Sequence, residues 1–107
     1  MDAVLRAIAE PNRRRILQLV RDAELSAGDI ARAFAVSRPA VSQHLKVLEQ
    51  AGLLTVRKDG TRRLYRARPQ AVAEVKAFID SYWQDSLERL KQAAEGHHRR
   101  ETDDRNQ

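Results

Sequence analysis

Cysteine is absent from this chain of 107 residues, and histidine, glycine and aromatic residues are few. Without cysteine, no disulfide framework and no thiolate site can form. The only histidines are His44, His97 and His98, and no glycine-rich phosphate loop or nucleophile beside a base is present. The sequence therefore predicts a protein that is not an enzyme and that carries no cofactor.

Long hydrophobic runs are absent as well. The opening MDAVLRAIAEPNRRR has an acid at position 2 and lacks the apolar core of a signal peptide, and no later stretch approaches a membrane span. The lack of cysteine also fits a reducing compartment. We expect a cytoplasmic protein with one domain over residues 1–95 and a disordered, mixed-charge tail over residues 96–107.

Positive charge is concentrated in the middle of the chain. Residues 1–36 carry six Arg and Lys against five Asp and Glu, residues 37–68 carry eight against two, and residues 69–107 carry six against eight. The middle segment therefore carries +6, while the flanking segments carry +1 and −2, and this concentration of positive charge predicts a polyanionic partner. A solvated basic face is the alternative interpretation.

Hydrophobic spacing and helix-end residues predict three helices before residue 36. The first two run over about residues 2–9 and 11–22, the second beginning at a proline. Ser26 and Asp29 have the spacing of a capping box, with Asp in place of the usual Glu or Gln. This pair predicts a short third helix.

The fourth helix has one apolar and one polar face. Ser37 is its predicted N-cap and Gly52 its terminator, and the apolar face is the one that carries Leu45. The polar face has small side chains, Gln43 and Lys46, so it can enter a major groove about 12 Å wide, where Gln bonds adenine and Lys reaches guanine or phosphate. The predicted DNA contacts of this helix are Ser37, Arg38, Pro39, Ala40, Ser42, Gln43, His44 and Lys46.

A basic β-hairpin follows the fourth helix. Residues 53–58 and 61–66 are β-prone and are separated by Asp59 and Gly60, a preferred two-residue turn. Cations at the tip of a hairpin repel one another, and phosphates or a narrow minor groove would compensate them. The predicted DNA contacts of the hairpin are Arg57, Lys58, Arg62 and Arg63. Protection of an edge strand by charge is the alternative.

The last predicted helix, from Gln70 to about Ala94, has a long apolar stripe. It is too long for a small body to cover, so we expect it to pair with the first helix and with its copy in a twofold dimer. Tyr82 and Trp83 could instead line an effector pocket. The predicted dimer residues are Val4, Leu5, Ile8, Val75, Phe78, Ile79, Tyr82, Trp83, Leu87 and Leu90.

Four segments together closely resemble the ArsR/SmtB family of bacterial winged-helix repressors. They are IAEPNRRRILQLV, ELSAGDIARAF, VSRPAVSQHLKVLEQAGLL and VRKDGTRRLYR, and the resemblance covers about residues 3 to 90. It implies a mainly α fold with a small β-hairpin, the winged helix-turn-helix, dimerised through its terminal helices. It also implies repression, in which a dimer occupies a palindrome that overlaps a promoter.

The chain departs from the metal sensors of that family. Ser26 and Gly28 stand where sensors carry thiolates, and the segment from Asp80 to Tyr82 lacks the histidine of the second family site. A carboxylate site remains conceivable, but carboxylates along a helix are usually solvated. The resemblance therefore implies the metal-independent, SdpR-like branch, with no metal and no identified small-molecule inducer.

The predicted function is that of a sequence-specific regulator of transcription that binds double-stranded DNA. We expect a dimeric repressor of its own or a neighbouring operon. The alternative is a winged helix that binds protein or RNA without an operator. A protein-binding face over residues 39–46 would be more apolar, and one that binds single-stranded RNA would be richer in stacking aromatics.

Overall fold

A computed structural model describes the backbone of residues 1–105 and the side chains of residues 1–96. Its elements in chain order are α1 (Asp2–Ile8), α2 (Pro11–Asp22), β1 (Leu25–Ser26), α3 (Ala27–Ala33), α4 (Arg38–Gln50), β2 (Leu54–Asp59), β3 (Arg62–Ala67) and α5 (Pro69–Arg105). Two compact units are distinct. The first is Met1–Val75, and the second begins at Lys76.

The helices of the first unit begin where the cap residues predict. The Ser26 hydroxyl accepts a hydrogen bond from the Asp29 backbone N–H at 3.2 Å, and the Asp29 carboxylate accepts from the Ser26 N–H at 3.3 Å, which completes the capping box of α3. The Ser37 hydroxyl accepts from the Ala40 N–H at 3.3 Å at the start of α4. Gly52 follows α4 with φ +78°, a conformation that favours glycine.

The sheet has three antiparallel strands in the order β1-β3-β2, and β1 was not predicted from the sequence. Leu25 pairs with Tyr65, so the segment before α3 extends the hairpin on its other edge. The hairpin loop also lies one residue later than predicted, because Asp59 pairs with Arg62 and the loop is Gly60-Thr61. Only Gly60 of these two has positive φ, +64°, as expected when glycine takes the first position of a type II′ turn.

The core of the first unit lies between the helices and the sheet. Ile16 and Val20 of α2, Ile30 of α3, and Leu45 and Leu48 of α4 are at most 1% exposed. Apolar residues at three- and four-residue steps place one face of each helix in this core. The residues Leu53, Leu54, Leu64, Tyr65 and Ala67 complete the buried set on the hairpin side.

Helix α5 continues past the end predicted for it near Ala94, since its backbone is helical to Arg105. The domain predicted over residues 1–95 and the disordered tail predicted for residues 96–107 stay predictions. The described residues do not include the backbone of residues 106–107 or the side chains of residues 97–107, among them those of His97 and His98. In the described part of the chain, none of the helices combines the length and the apolar character required to cross a bilayer.

A candidate nucleic-acid interface

Helix α4 presents a polar, exposed face. Gln43 and Lys46 are exposed in the middle of the helix, and four further predicted contacts are exposed at its start: Ser37, Arg38, Pro39 and Ser42. Ala40 is half-buried. The buried positions Val41, Leu45 and Leu48 fix the opposite face in the core, so this polar face is held outward.

His44 does not share that exposed face. Its side chain is 17% exposed, and its Nδ1 atom lies 3.8 Å from Oε2 of Glu10 and is buried without a hydrogen bond. Glu10 is the N-cap of α2, where it accepts a hydrogen bond from the Arg13 N–H at 2.8 Å. Burial alone would raise the pKa of Glu10, but backbone hydrogen bonds from Arg13 and Asn12, with the nearby His44, lower it overall. His44 therefore faces the start of α2.

Carboxylates of the helical body bind the arginines of the β2–β3 hairpin, which we call the wing. Arg57 Nε lies 3.2 Å from both carboxylate oxygens of Glu24. The other two pairs are Arg62 Nη2 to Asp29 Oδ2 at 3.0 Å and Arg63 Nη2 to Glu49 Oε1 at 3.2 Å. The repulsion expected among the wing cations is therefore offset for these three arginines by carboxylates from other parts of the sequence.

The four predicted wing residues divide between the two faces of the hairpin. Cross-strand partners share a face, and Lys58 pairs with Arg63 while Arg57 pairs with Leu64. Arg63 also lies over the Tyr65 ring, with its guanidinium carbon 5.8 Å from the ring centroid. Lys58 is exposed and has no ion-pair partner among the side chains that the structure describes.

A cleft of about 720 Å³ lies between the start of α3, the start of α4 and strand β3. Four arginines and one carboxylate line it: Arg32, Arg38, Arg62, Arg63 and Asp29. Ser26 and Ser42 add hydroxyl groups to the same lining. The cleft adjoins the exposed face of α4. Helix α4 and the wing therefore form one basic surface, which suits a phosphate backbone.

Sequence reasoning did not identify the carboxylates that hold the wing, Glu24, Asp29 and Glu49, or the cleft residue Arg32. The Arg57 hydrogen bond is the main reason that the pKa of Glu24 is low. The pKa of Asp29 is lowered by its bonds to Ser26 and then by Arg32. The acid in the capping box was visible in the sequence, whereas its second role requires the packing of β3 beside α3.

The predicted dimer residues of α1 and α5 differ in exposure. In the first unit, Val4 and Ile8 pack against the core and Leu5 is half-buried, as is Val75 at the unit's end. The apolar residues of α5 in the second unit are 39% to 65% exposed: Phe78, Ile79, Tyr82, Trp83, Leu87 and Leu90. Tyr82 and Trp83 make an edge-to-face pair with ring centroids 6.2 Å apart.

Comparison with known proteins agrees with this geometry. A family model described as a helix-turn-helix domain matches residues 8–57. The HTH-type transcriptional regulator Rv2034 of Mycobacterium tuberculosis is 42% identical over 86 residues, 80% of either protein. The homodimeric winged helix-turn-helix DNA-binding domain of Mb0332 from Mycobacterium bovis, a possible ArsR-family regulator, has a solution structure that is 30% identical, with a TM-score of 0.64 and 78% of each chain covered.

This chain belongs to the ArsR/SmtB family of winged helix-turn-helix transcriptional regulators. The prediction of family, fold and regulatory class is confirmed. Within the ArsR/SmtB family, the transcriptional repressor SdpR of Bacillus subtilis is 42% identical over 60 residues, which are 56% of this chain and 67% of SdpR.

The positions of this ArsR/SmtB regulator that correspond to sensor thiolates have other roles in the structure. Ser26 caps α3, and Gly28 lies beneath the guanidinium groups of Arg32 and Arg38, whose Nη1 atoms are each 3.7 Å from where a Cβ on Gly28 would stand. Among the described residues, no group of three or more His, Asp or Glu side chains could hold a metal ion.

Proposed function

We propose that the protein is a cytoplasmic dimeric repressor that binds a palindromic operator in double-stranded DNA and represses its own or a neighbouring operon. The exposed polar face of α4 beside the arginine-lined cleft is the observation that carries this proposal. In the proposed complex α4 lies in the major groove, with Gln43 and Lys46 at base edges. The wing residues contact the phosphate backbone and a neighbouring minor groove.

The exposed apolar stripe of α5 supports the dimer. Six large apolar side chains of α5 within the second unit are at least 39% exposed, and a second copy would remove them from water. The related Mb0332 domain is described as homodimeric. A twofold dimer presents two α4 helices, so the operator should contain an inverted repeat with half-sites about one helical turn apart.

Fluorescence anisotropy with a duplex from upstream of the chain's own coding region tests the proposal. Gln43→Ala should reduce the preference for that duplex over an unrelated one by about tenfold, since one bidentate base contact is lost. Arg62→Ala with Arg63→Ala should weaken binding to both duplexes alike and reduce the salt dependence. Gln18→Ala, and Arg15→Ala with Arg21→Ala, are matched controls on the exposed side of α2 and should leave binding unchanged.

A winged helix that binds protein or single-stranded RNA is the alternative function. The exposed positions of α4 over residues 39–46 are Pro39, Ser42, Gln43 and Lys46, which offer no aromatic ring for stacking. Competition by single-stranded oligonucleotides against the labelled duplex separates the two functions. Equal competition by single strands, or no duplex binding at low salt, would contradict the repressor proposal.

A further inference from the structure

A single carboxylate, that of Asp29, is shared by two guanidinium groups in the cleft. Arg62 of β3 bonds to Asp29 Oδ2 at 3.0 Å, and Arg32 of α3 bonds to Asp29 Oδ1. The same carboxylate accepts the Ser26 N–H in the capping box, so its position is fixed by the backbone of α3. One acid therefore links helix α3 to the wing.

The carboxylate lies beneath the guanidinium groups that it binds. The Asp29 side chain is 28% exposed, whereas those of Arg32 and Arg62 are 76% and 56% exposed. Each guanidinium uses one nitrogen for Asp29 in these contacts, and Arg offers five N–H donors in a planar fork. Donors thus remain on the side that faces solvent.

Arg38, at the start of α4, adds a third guanidinium to the same place. Its Nη1 and that of Arg32 both lie 3.7 Å from the point where Gly28 would carry a Cβ, so two cations meet above a residue without a side chain. Arg38 makes no ion pair among the side chains that the structure describes. The single negative charge of Asp29 cannot neutralise the three guanidinium groups, so the cleft retains positive charge.

Resting on the proposed function, we propose that Asp29 is a positioning residue for DNA binding. It holds Arg32 and Arg62 in the cleft so that, together with Arg38, they bind one phosphate of the DNA backbone. Without the carboxylate, two long side chains would repel each other and would have to be ordered when DNA binds. The affinity lost through this ordering exceeds the affinity gained when the solvent-screened negative charge of Asp29 is removed from beside the phosphate.

Asp29→Asn distinguishes positioning from simple charge, because the two accounts predict opposite signs. A charge effect alone would strengthen DNA binding, since the variant is more positive. Positioning predicts binding about tenfold weaker at moderate salt, the scale of losing hydrogen bonds to a charged group. The slope of log affinity against log salt concentration should also fall, by about one per subunit, because a phosphate contact is lost. Both changes should be the same for the upstream duplex and for an unrelated one.

Asp59→Asn is the matched control, at the end of β2 next to the wing tip. Asp59 faces Arg62 across the hairpin but makes no ion pair among the described side chains, so the same chemical change there removes repulsion without breaking a bond to an arginine. The inference requires unchanged or tighter binding for Asp59→Asn and weaker binding for Asp29→Asn. Asp29→Glu restores the charge and the usual capping-box acid, and should recover most of the affinity.

The melting temperature of Asp29→Asn shows whether this variant folds. If it does not fold, Arg32→Gln tests the inference instead. Arg32→Gln leaves the capping box intact and should reproduce the loss of salt slope. Undiminished duplex binding by a folded Asp29→Asn, or an unchanged slope for Arg32→Gln, overturns this inference and leaves the proposed function standing. Failure of the wild-type protein to bind either duplex at low salt overturns both.

Discussion

The arginines of this chain differ by what they contact, and this decides which of them are available to DNA. Arg13 Nε donates to the Ala7 carbonyl at 2.6 Å, and Arg14 Nη1 donates to the Ile8 carbonyl at 2.8 Å. These carbonyls belong to the last turn of α1, where no further helical N–H can reach them. Such guanidinium groups stabilise the fold, although in the sequence they look the same as those of the cleft.

Acid should destabilise the protein through its low-pKa carboxyls. The Arg57 hydrogen bond holds the pKa of Glu24 below 4.5, so the folded state gains stability from this carboxylate above that value and loses it as pH falls through the lower folded value. Glu24→Gln should therefore lower the melting temperature at neutral pH, and the difference from wild type should shrink between about pH 5 and pH 3.

Thermal unfolding followed by circular dichroism across this pH range measures the effect. Asp22→Asn is a control because that exposed carboxylate bonds only to the adjacent Arg21 in the described structure. A Glu24→Gln difference that stayed constant down to pH 3 would show that the Glu24 and Arg57 pair does not contribute to folding stability.

Cap residues made the helix ends predictable, while pairings between distant residues remained hidden. Ser26, Asp29 and Ser37 act within three residues of themselves, so their spacing is visible in the sequence. Arg57 and Glu24 are 33 positions apart, and their contact exists only after β3 joins β1 to the hairpin. Strand β1 itself has two residues, too few for a periodic signal.

At the scale of elements, the wing depends on the backbone conformation of Gly60. Its φ of +64° is unfavourable for other residues, while nothing lies within 4 Å of a Cβ added there. Gly60→Ala should therefore cost about 1 kcal/mol through backbone strain alone. In a domain of this size, that loss corresponds to a fall in melting temperature of about 4–8 °C.

Gly28→Ala is the matched control for Gly60→Ala. Gly28 lies in helix α3, and a Cβ there would make ordinary contacts at 3.7 Å. Alanine is the better helix former by up to about 1 kcal/mol, so this variant should be as stable as wild type or more stable. Equal destabilisation by both substitutions would argue against the loop assigned to Gly60 and Thr61.

The loop of the hairpin also shows the limit of turn rules. Asp59-Gly60 matches a preferred dipeptide, but Asp59 belongs to the strand and pairs with Arg62. A type II′ turn requires glycine only at its first central position, so Gly60 followed by Thr61 satisfies it equally. The local sequence allows either register. In the observed register, Val56 pairs with the buried Tyr65.

At the scale of the whole molecule, the apolar stripe of α5 should control assembly. Trp83→Glu with Leu87→Glu places two charges on the exposed apolar face and should convert the proposed dimer to monomers. Sedimentation equilibrium measures the mass directly, and operator affinity should fall with it because two half-sites are no longer linked.

Gln92→Glu is the control for this assembly test. Successive helical residues are rotated by about 100°, so the exposed Gln92 lies on the side of α5 away from Trp83 and Leu87. This variant should keep the mass of the wild type. A double variant that remained dimeric would place the subunit interface elsewhere and would remove the apolar stripe from the proposal.

Strand β3 pairs with β1 on one side and with β2 on the other, and β1 leads directly into α3. The hairpin is therefore joined to the helical layer by main-chain hydrogen bonds as well as by ion pairs, and it should not swing independently. We expect an inducing signal that acts on the proposed dimer to change the distance and the angle between the first units of the two subunits, rather than to loosen the wing of either. Distances measured between spin labels on the two hairpin tips would then change in step with distances between the two α4 helices.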